Sequence, residues 1–570
     1  MVKGIEQIKA DILIMGTGGA GLMAALHAYD ANPELNIVLS VKGLAGKSGC
    51  TRMVQGGYNV VLDPDDSHEK HFKDTIKGGG FINNQELAWT LVTDATKIVY
   101  ELENKVGCFF DRGSDGYLHQ KPFAGQCFDR TIHRRDLTGI EIIARLRDQV
   151  FARDIQVLEE CRGLDLLTRN NRVAGAILLD IRSGEPFVVN SRAVILATGG
   201  GATMYKISAP SKEKSGDGTA MAFRAGAEFV DMEMLQFHPT GLLAGESQLS
   251  GSVLEEGLRG AGGRLFNAEG ERFMERYDPD RMERSTRDQV ARGAYLEIMA
   301  GRGTHSGGVF LDISHLGAGF VERTFPGMVD RVKDIGKDLA REPIEVSPTA
   351  HFHMGGVRID RDCHSNLEGL FVAGEDAGGV HGANRLGGNG VAESTVFGAR
   401  AGDAAASFVS ECNLSAVDDA QVNAVWQETI RPFSLSDGED AYRLRRELKL
   451  LTWEKIGVVR SREQLLQGIQ QLDEMKDRAE RIKVKGGRQY NMDWNEALNV
   501  RNLITVARMV AQSALIREES RGSHYRSDFP KTDNDNWLKN ILLIRDGKEV
   551  IRFYSKAVMF SRIPQEEIIK

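Results

Sequence analysis

Six residues near the amino terminus have the types and the spacing of a dinucleotide-binding turn. The run Gly16-Thr17-Gly18-Gly19-Ala20-Gly21 follows a short apolar strand predicted for residues 10–15 and leads into the helical pattern "LMAALHAYDA". In this G-x-G-x-x-G pattern the first glycine permits the turn, the second lets the backbone approach a pyrophosphate, and the third lets the helix pack closely on the strand. The amino terminus of the helix supplies amide donors and partial positive charge. The sequence therefore predicts a dinucleotide site.

Three later strand ends bear on the kind of dinucleotide. The strand predicted for residues 36–42 ends in Ser40-Val41-Lys42, without the Asp or Glu that reads the ribose of NAD. The strands predicted for residues 193–197 and 370–373 end in Thr198-Gly199-Gly200 and in Gly374-Glu375. Strand ends of this kind, separated by long insertions, favour one large cofactor in a discontinuous domain, and extended FAD fits better than NAD. Ordinary tight turns are the alternative.

Composition and charge exclude several classes of protein. A chain of 570 residues is long enough for about three or four domains. The formal net charge of -8 argues against a nucleic-acid surface, because nothing offsets phosphate repulsion. The six cysteines include no C-x-x-C pair, so we expect no disulfide framework, no metal site and a reducing, cytoplasmic setting. No apolar run reaches about 18 residues, and neither a transmembrane helix nor a signal peptide is expected.

An ordered set of longer motifs runs through most of the chain. These are "GTGGAGLMAAL", "QGG", "KPFAGQ", "ATGG", "SGDGTAMAFRAGAEFVDMEMLQFHPTG", "STRDQVAR", "PTAHFHMGGV", "GEDAGGVHGANRLGGN" and a helical end "REESRGSHYR". In this order they resemble the flavoprotein subunit of succinate dehydrogenase and fumarate reductase, and more distantly L-aspartate oxidase. The likeness extends from about residue 10 to residue 530. It implies an α/β fold with a discontinuous Rossmann-like FAD-binding domain, an inserted α+β capping domain and a carboxy-terminal helical bundle.

The resemblance also implies which residues hold FAD. Glu375 would accept hydrogen bonds from hydroxyl groups of the cofactor, and Asp217 would do the same near the adenosine part. Asp217 could equally be a turn residue in "SGDG". The complete implied set is Gly16, Gly18, Gly19, Ala20, Gly21, Lys42, Cys50, Thr51, Gln55, Gly56, Gly57, Thr198, Gly199, Asp217, Glu375, Arg385, Gly390 and Val391.

The same resemblance implies a site for an unsaturated dicarboxylate. Reducing its C=C bond requires a hydride from the flavin on one face, a proton from the other, and cations on the carboxylates. By their motifs, His351 and Arg385 match ligands of one carboxylate, and His238 matches a ligand of the other. Arg287 matches the proton donor, although singly each arginine could form a structural ion pair and each histidine could be a core residue. The relay that resupplies the proton would consist of Glu256, Arg259 and Asp288.

One departure from the family pattern concerns the flavin linkage. Members with covalent flavin carry a histidine just before "T…QGG", and this chain has Cys50 there, followed by Thr51. A histidyl bond is therefore not expected, and an inert, packed thiol is more common than a thiol bonded to the flavin 8α-carbon. We expect noncovalent FAD. Because covalent attachment raises the flavin potential, its absence favours reduction of fumarate-like acceptors over oxidation of succinate.

Two further departures from the family pattern concern residues expected near the substrate and near the flavin ring. Glu255 in "SVLEEGLRG" stands where the family usually has a Thr that bonds a substrate carboxylate. A carboxylate there would repel a dicarboxylate unless it is protonated, paired with a cation or turned away, so a related unsaturated acid is a second candidate substrate. Gly390-Val391-Ala392 replace the usual Ser-Leu-Leu, which predicts looser packing near the flavin ring.

The motifs and a change in composition divide the chain. We predict an FAD-binding domain at residues 1–234 and 352–411, a capping domain at 235–351, a helical domain at 412–530 and a tail at 531–570. The capping domain would close over the substrate and exclude water. The tail alternates like a strand pair around Asp546-Gly547. One apolar helix face in the helical domain carries Val500, Leu503, Ile504, Ala507, Val510, Ala511 and Ala514.

The resulting hypothesis is a flavoprotein subunit that reduces fumarate or oxidises succinate. With one dinucleotide fingerprint and no cysteine cluster, it requires a separate electron carrier. The resemblance implies an iron–sulfur subunit docked on the helical domain, and association with the cytoplasmic face of a membrane through partners only. Three alternatives stay open: L-aspartate oxidase with direct reaction with oxygen, a reductase of a related unsaturated acid, and a protein that keeps FAD only for structure or electron passage. Phe237 and "GVHGANRLGGN" favour the first hypothesis over the oxidase.

Overall fold

The computed structural model describes residues 5–547 and 550–567. Its strands are β1 (Glu6–Met15), β2 (Ile37–Ser40), β3 (Tyr58–Asn59), β4 (Gln120–Lys121), β5 (Thr131–Ile132), β6 (Gln156–Leu158), β7 (Cys161–Arg169), β8 (Arg172–Asp180), β9 (Glu185–Leu196), β10 (Phe229–Val230), β11 (Leu235–Leu242), β12 (Arg264–Phe266), β13 (Val309–Asp312), β14 (Ile344–His353), β15 (Gly356–Arg358), β16 (Leu370–Val372), β17 (Ala377–Gly378), β18 (Lys539–Asp546) and β19 (Val550–Ala557). Its α-helices are α1 (Gly19–Ala31), α2 (His68–Gly78), α3 (Gln85–Glu101), α4 (Thr138–Phe151), α5 (Asp217–Ala225), α6 (Gly257–Gly260), α7 (Met274–Tyr277), α8 (Arg287–Glu297), α9 (Ala318–Thr324), α10 (Pro326–Lys333), α11 (Asn389–Glu411), α12 (Asp419–Ile430), α13 (Ala441–Lys455), α14 (Arg462–Ala479), α15 (Met492–Ile516) and α16 (Asn534–Trp537).

A largely parallel sheet forms the nucleotide-binding core. β1 lies between β2 and β9, parallel to both, and β6 and β16 extend the parallel set. β7 and β8 continue the sheet beyond β9 as antiparallel strands. Ile12, Leu13 and Ile14 of β1 are all buried, as expected for a strand covered on both faces. The strands predicted at residues 10–15, 36–42, 193–197 and 370–373 all lie in this sheet, which confirms the Rossmann-like α/β expectation.

The turn after β1 depends on two glycines. Gly16 has a φ of +113°, and a Cβ there would lie 2.1 Å from the carbonyl oxygen of Ala197. A Cβ on Gly21 would lie 1.9 Å from the carbonyl oxygen of Gly16. Because both distances are far inside van der Waals contact, α1 can pack against β1 and β9 only where these residues have no side chain.

Residues 242–346 surround a second hydrophobic core. It is built on the antiparallel sheet β11-β14-β13-β12, and α8, α9 and α10 contribute apolar residues to it. β11 connects the two cores, because Phe237 belongs to the first and Leu242 to the second. The pairing of β11 with β14 therefore carries side chains from the capping region to the wall of the nucleotide-binding region. The predicted domain limits at residues 234/235 and 351/352 stay a prediction.

The helices α13, α14 and α15 form the predicted carboxy-terminal bundle. The apolar face predicted on residues 500–514 of α15 is buried, and it packs into the same core as the central sheet. The predicted helical end at residues 517–526 is wrong, since α15 ends at Ile516. Arg517 has an extended backbone, and its buried guanidinium lies against Glu233 at 2.6 Å and Glu519 at 3.0 Å. These ion pairs stabilise a turn away from the helix axis.

The predicted carboxy-terminal strand pair is confirmed, and it is built into the body of the protein. β18 and β19 pair in antiparallel fashion from Asp546↔Val550 to Lys539↔Ala557. β18 also pairs with β10, so the tail extends a five-stranded sheet of order β17-β15-β10-β18-β19. Residues 548–549, which follow the predicted turn at Asp546-Gly547, and residues 1–4 and 568–570 at the two ends lie outside the described residues.

We predict that Gly21→Ala lowers both the flavin content and the melting temperature of the protein. The added methyl group would meet backbone, which cannot move away cheaply, and overpacking of this kind costs about 3 kcal/mol. Flavin absorbance per chain and thermal unfolding measure the effect. Gly487→Ala is the matched control, because a Cβ there meets nothing within 4 Å. A Gly21→Ala protein with normal flavin content and stability would contradict the packing argument.

Candidate active site

A cavity of about 710 Å³ opens at the carboxyl ends of the parallel strands and extends toward the second core. It brings most of the predicted site residues together, and Gly21, Arg259 and Asp288 are not among those that line it. Such crevices at strand ends are where α/β proteins bind nucleotides. The predicted residues that line it are Gly16, Gly18, Gly19, Ala20, Lys42, Cys50, Thr51, Gln55, Gly56, Gly57, Thr198, Gly199, Asp217, His238, Glu256, Arg287, His351, Glu375, Arg385, Gly390 and Val391.

Two helix amino termini face the cavity. α1 begins after Gly18, and the backbone N–H of Gly19 donates to the hydroxyl of Thr51 at 2.9 Å, which fixes the loop around residues 46–57 against the helix. α11 begins after Gly388, with Gly390 and Val391 in its first turn. The exposed amides and the helix dipoles make both ends suitable for anionic or electron-rich parts of a ligand.

Asp217 and Lys42 form an ion pair on the cavity wall. The Lys42 ammonium lies 2.7 Å from one carboxylate oxygen, and the other oxygen accepts from Arg162 at 2.9 Å and Asn502 at 2.7 Å. Burial acts to raise the pKa of Asp217, but Lys42 and Arg162 outweigh it and hold the pKa below its usual value. Asp217 is the first residue of α5, so it is both a helix-start residue and an ionised carboxylate beside the cavity.

Glu375 is a second carboxylate with a defined orientation. One oxygen accepts from the backbone N–H of His353 at 3.0 Å, and the other is paired with Lys214. Burial acts to lower the pKa of Lys214, but the negative charge of Glu375 raises it overall, so the lysine is charged. Sequence analysis missed Lys214. Its position in the polar run before "SGDG" was the available signal.

Cys50 is a protected thiol beside this pair. Its Sγ accepts from the backbone N–H of Ser211 at 3.4 Å. Burial raises the pKa of the Cys50 thiol, and Lys214 opposes the rise only in part. Because the thiolate is the reactive form, this environment favours an unreactive cysteine.

Arg287 and Glu256 form a close pair at the far end of the cavity. The Glu256 carboxylate accepts from the guanidinium of Arg287 at 2.7 and 2.6 Å, and its other oxygen accepts from the N–H of Ala124 at 3.2 Å. Burial acts to raise the pKa of Glu256, but Arg287 and Arg259 lower it overall. Arg287 is the first residue of α8, which sets its guanidinium against the wall formed by β11.

Gln236 connects the two cavity arginines, and sequence analysis missed it. Its amide oxygen accepts from Arg287 at 3.2 Å and from Arg385 at 3.3 Å. Its amide nitrogen donates to Asn384 and to the carbonyl of Arg385, which fixes the direction of the side chain. The signal was present, because residues at positions i and i+2 of a strand share a face, and Gln236 is two residues before His238.

Arg385 is buried without a carboxylate partner in contact. Its guanidinium carbon lies 4.4 Å from the ring centroid of Phe352, and its Nε has no hydrogen-bond partner among the described residues. Burial, together with repulsion from Arg287, lowers the pKa of Arg385 to about 9. A Cβ on Gly390 would lie 2.7 Å from Arg385, so glycine in place of the usual Ser leaves room for the guanidinium. The guanidinium of Arg385 therefore occupies the space that the smaller residue was expected to leave at this position.

His238 and His351 complete the cationic end of the cavity. Their ring centroids are 5.5 Å apart, and the strands that carry them, β11 and β14, pair so that His238 lies opposite Thr349. Burial lowers the pKa of both histidines well below the usual value, and the neighbouring arginines add to the effect. Both rings are therefore neutral near pH 7, and each can donate one hydrogen bond.

The two other predicted relay residues lie behind this wall. Arg259 is buried and donates to the carbonyl of Glu283 at 2.6 Å, while its Nε and one terminal nitrogen have no partner among the described residues. Burial lowers the pKa of Arg259, and Glu256 opposes that effect. Asp288 follows Arg287 in the first turn of α8, and one of its oxygens is buried without a described partner.

Two further buried carboxyl groups line the cavity. Glu255 lies 3.5 Å from the ammonium of Lys121, and burial raises its pKa although Lys121 opposes the rise. Glu393, in the first turns of α11, was missed by sequence analysis. Burial and the charge of Glu375 raise the pKa of Glu393 to about 8, with Arg385 opposing. An acidic residue at the start of a helix is so common that "GGNGVAE" gave no distinct signal.

The cavity has the features that FAD requires. The glycine-walled helix start offers amides for a pyrophosphate, and the carboxylates of Asp217 and Glu375 are fixed acceptors for hydroxyl groups. The hydroxyl of Thr17, also on the wall, is buried and has no partner among the described residues. Such an orphaned polar atom in a cavity is satisfied by a ligand.

Comparison with known proteins supports the interpretation of this cavity as an FAD site. A family model described as FAD binding domain matches residues 11–391, and one described as fumarate reductase flavoprotein C-term matches residues 445–568. A fumarate reductase (CoM/CoB) subunit of Methanothermobacter marburgensis is 44% identical over 95% of this chain and 98% of that protein. The flavoprotein subunit of the 8-methylmenaquinol:fumarate reductase of Wolinella succinogenes is 34% identical over 98% of this chain and 92% of its own length. A mutant quinol fumarate reductase from E. coli has a TM-score of 0.93 at 32% identity and covers 98% of both chains.

Fold, cavity and comparisons define the class of protein. It is an FAD-binding oxidoreductase that acts on CH–CH bonds. More narrowly, the chain belongs to the family of flavoprotein subunits of fumarate reductase and succinate dehydrogenase, which confirms the resemblance carried by its motifs. Across residues 5–547 and 550–567, the structure contains no helix that is long and apolar enough to cross a membrane.

We predict that FAD is released when the purified protein is precipitated with acid. The Cys50 thiol is neutral and hydrogen-bonded, and no histidine stands at the position of attachment. Absorbance of the supernatant and of the pellet at the flavin wavelength measures the partition, and Cys50→Ser should give the same result. Yellow colour that stays with the wild-type pellet and leaves in Cys50→Ser would show a cysteinyl bond instead.

Proposed function

We propose that this chain reduces fumarate to succinate and that the cationic end of the cavity is the dicarboxylate site. The observation that carries the proposal is the convergence of Arg287, Arg385, His238 and His351 on the cavity that holds the dinucleotide fingerprint. Two guanidiniums and two neutral imidazoles provide donors for four carboxylate oxygens. Burial strengthens each of these interactions, since little water competes for them.

The proposed roles follow from what each side chain contacts. When bound, FAD supplies the hydride for the C=C bond. His351 and Arg385 bind one carboxylate, and the planar fork of the arginine suits two parallel hydrogen bonds. His238 binds the other carboxylate from the facing strand.

Arg287 is the proposed proton donor to the substrate carbon. Glu256, with two close contacts to Arg287, is placed to return a proton to the guanidinium. Arg259 and Asp288 would continue the relay away from the cavity. The low pKa of Glu256 keeps it ionised, which is the form that stabilises a charged Arg287 and accepts a proton only transiently.

The proposed direction is reduction. Noncovalent FAD has a lower potential than covalently bound flavin in this family, and a lower potential favours transfer of electrons to fumarate. L-aspartate oxidase stays an alternative that Phe237 and the motif "GVHGANRLGGN" do not favour. A reductase of a related unsaturated acid stays open because Glu255 stands beside the dicarboxylate site.

Electrons require a partner, and we propose an iron–sulfur protein. Several exposed apolar side chains lie beside the cavity, and two of them, Met53 and Ile140, also line it. Leu44, Met53, Leu137 and Ile140 are each between 43% and 47% exposed. Apolar patches mark docking surfaces, and this one includes two residues that line the cavity proposed to hold the flavin. The outer face of the helical domain, predicted from the sequence, is the second candidate surface. Peripheral association with the cytoplasmic face of a membrane would follow through such partners.

We predict that Arg287→Ala abolishes fumarate reduction while FAD stays bound. Removal of a general acid lowers turnover by about 10²- to 10⁴-fold. Turnover with a reduced dye as electron donor and the flavin content per chain measure the two properties separately. Arg281→Ala, an exposed arginine one turn before α8, is the control and should keep normal activity.

The variant also tests the hypothesis of a protein without substrate chemistry of its own. If Arg287→Ala kept every flavin-dependent turnover of the wild type, the proton-donor role would be wrong. If the wild type itself had no turnover with any dicarboxylate, FAD would be retained for structure or electron passage alone.

A further inference from the structure

The dicarboxylate end of the cavity contains a second group of charged residues that the proposed mechanism does not use. Glu255 and Arg331 line the cavity, with Lys121 and Asp136 close to them. The Lys121 ammonium is 3.5 Å from Glu255 Oε1, and Arg331 donates to the carbonyl of Val253 at 2.8 Å. Lys121 is therefore paired with Glu255, and Arg331 and Asp136 are close enough to act on Glu255 through their charges.

Backbone contacts place Glu255 beside His238. The hydroxyl of Thr240 donates to the carbonyl of Leu254 at 2.7 Å and lies 3.2 Å from Nδ1 of His238. The N–H of Leu254 donates in turn to the carbonyl of Thr240. On its other side Glu255 is followed by Glu256, which holds Arg287. Glu255 thus lies between the histidine and the arginine that face the substrate.

One oxygen of Glu255 has no partner. Oε2 is buried and makes no hydrogen bond to any described residue, while Oε1 faces Lys121. An ionised carboxylate would leave a buried charge unsatisfied on Oε2, next to an incoming dianion. A neutral carboxyl group has an O–H donor at that oxygen, which requires an acceptor. A substrate carboxylate is the acceptor that the proposed function brings there.

We propose that Glu255 is protonated when the dicarboxylate is bound and donates a hydrogen bond from Oε2 to the substrate carboxylate on the His238 side. This inference rests on the proposed function and adds a specificity-determining residue to it. Substrates must then present an acceptor oxygen at this position, as a carboxylate does. An acid with a methyl group or an ammonium group there would lose the hydrogen bond.

The surrounding charges set the direction of the pH dependence. Lys121 and Arg331 favour the ionised form of Glu255, whereas burial, Asp136 and Glu256 favour the neutral form, and the net effect raises the pKa of Glu255. Below that pKa the donor is present, and above it the carboxylate repels the substrate. The KM for fumarate should therefore rise where the pH passes that pKa, and a pKa above the measured range leaves the donor in place throughout. His238 and His351 stay neutral through this range. Glu393, with a pKa of about 8, and Arg385, with a pKa of about 9, change charge within it in the wild type and in Glu255 variants alike, so the difference between the two profiles reports on Glu255.

A pair of variants isolates the hydrogen bond. Glu255→Gln and Glu255→Leu both remove the negative charge beside Lys121, but only the glutamine keeps a donor at the Oε2 position and an acceptor for Lys121 at the Oε1 position. We expect Glu255→Leu to raise the KM for fumarate about tenfold or more above Glu255→Gln, with kcat changed little. The measurement is steady-state reduction of fumarate by the FAD-loaded protein from about pH 6 to about pH 9. Glu246→Gln, an exposed glutamate, is the control.

Each result decides the matter. A KM that rises more steeply with pH in the wild type than in Glu255→Gln supports the proposal. Profiles of equal slope, with a loss of affinity only in Glu255→Leu, also support it, because the proton then stays on Glu255 throughout. Equal KM values for the two variants, or a wild-type KM that falls as pH rises, would overturn it. A wild type that does not turn over fumarate would overturn the proposed function instead.

Discussion

The burial of two like charges side by side is the constraint on which this site depends. Arg287 and Arg385 share one amide acceptor, and only Arg287 has a carboxylate in contact. A buried charge without a counterion is costly, and the lowered pKa of Arg385 expresses that cost. Gln236 and the face of Phe352 offset a part of it. A bound dianion would offset the rest, so the charges that destabilise the empty site are also those proposed to bind and activate the substrate.

Each part of the fold holds one piece of this arrangement. The β11–β14 pair carries the two histidines from opposite strands, and α8 starts at Arg287. Arg385 comes from the segment before α11, whose first turn has a glycine where a larger residue would take the space of the guanidinium. Because these elements come from both hydrophobic cores, the site exists only when the capping region lies against the nucleotide-binding region. Such an arrangement would limit the access of water to a bound substrate.

Much of the fold could be predicted because its signals are local. The strand, glycine turn and helix at residues 10–31, the apolar face of α15 and the strand pair at the carboxy terminus each follow from residue patterns a few positions long. The true end of α15 could not be predicted, because it depends on Arg517 meeting Glu233, which is far away in the sequence. The pairing of β18 with β10 is non-local in the same way.

The residues of the site also divide into those that have a local sequence signal and those that depend on distant contacts. Its glycines, arginines and histidines stand in recognisable motifs, whereas Gln236, Lys214 and Glu393 gain their roles from contacts that only the fold creates. Glu255 is the informative case. Its departure from the family pattern was visible in the sequence, but the buried, unpartnered oxygen on which its proposed role rests was visible only in the structure.

The most direct test of the central claim is oxidation of the reduced flavin under anaerobic conditions. The purified protein would be reduced until the flavin is colourless and then mixed with fumarate, with air and iminoaspartate in parallel samples, while the flavin absorbance is followed. Our account predicts rapid return of the oxidised flavin spectrum with fumarate. Flavin that stays reduced with fumarate but is oxidised by iminoaspartate or by air would contradict the assignment of the cationic end of the cavity as a fumarate site.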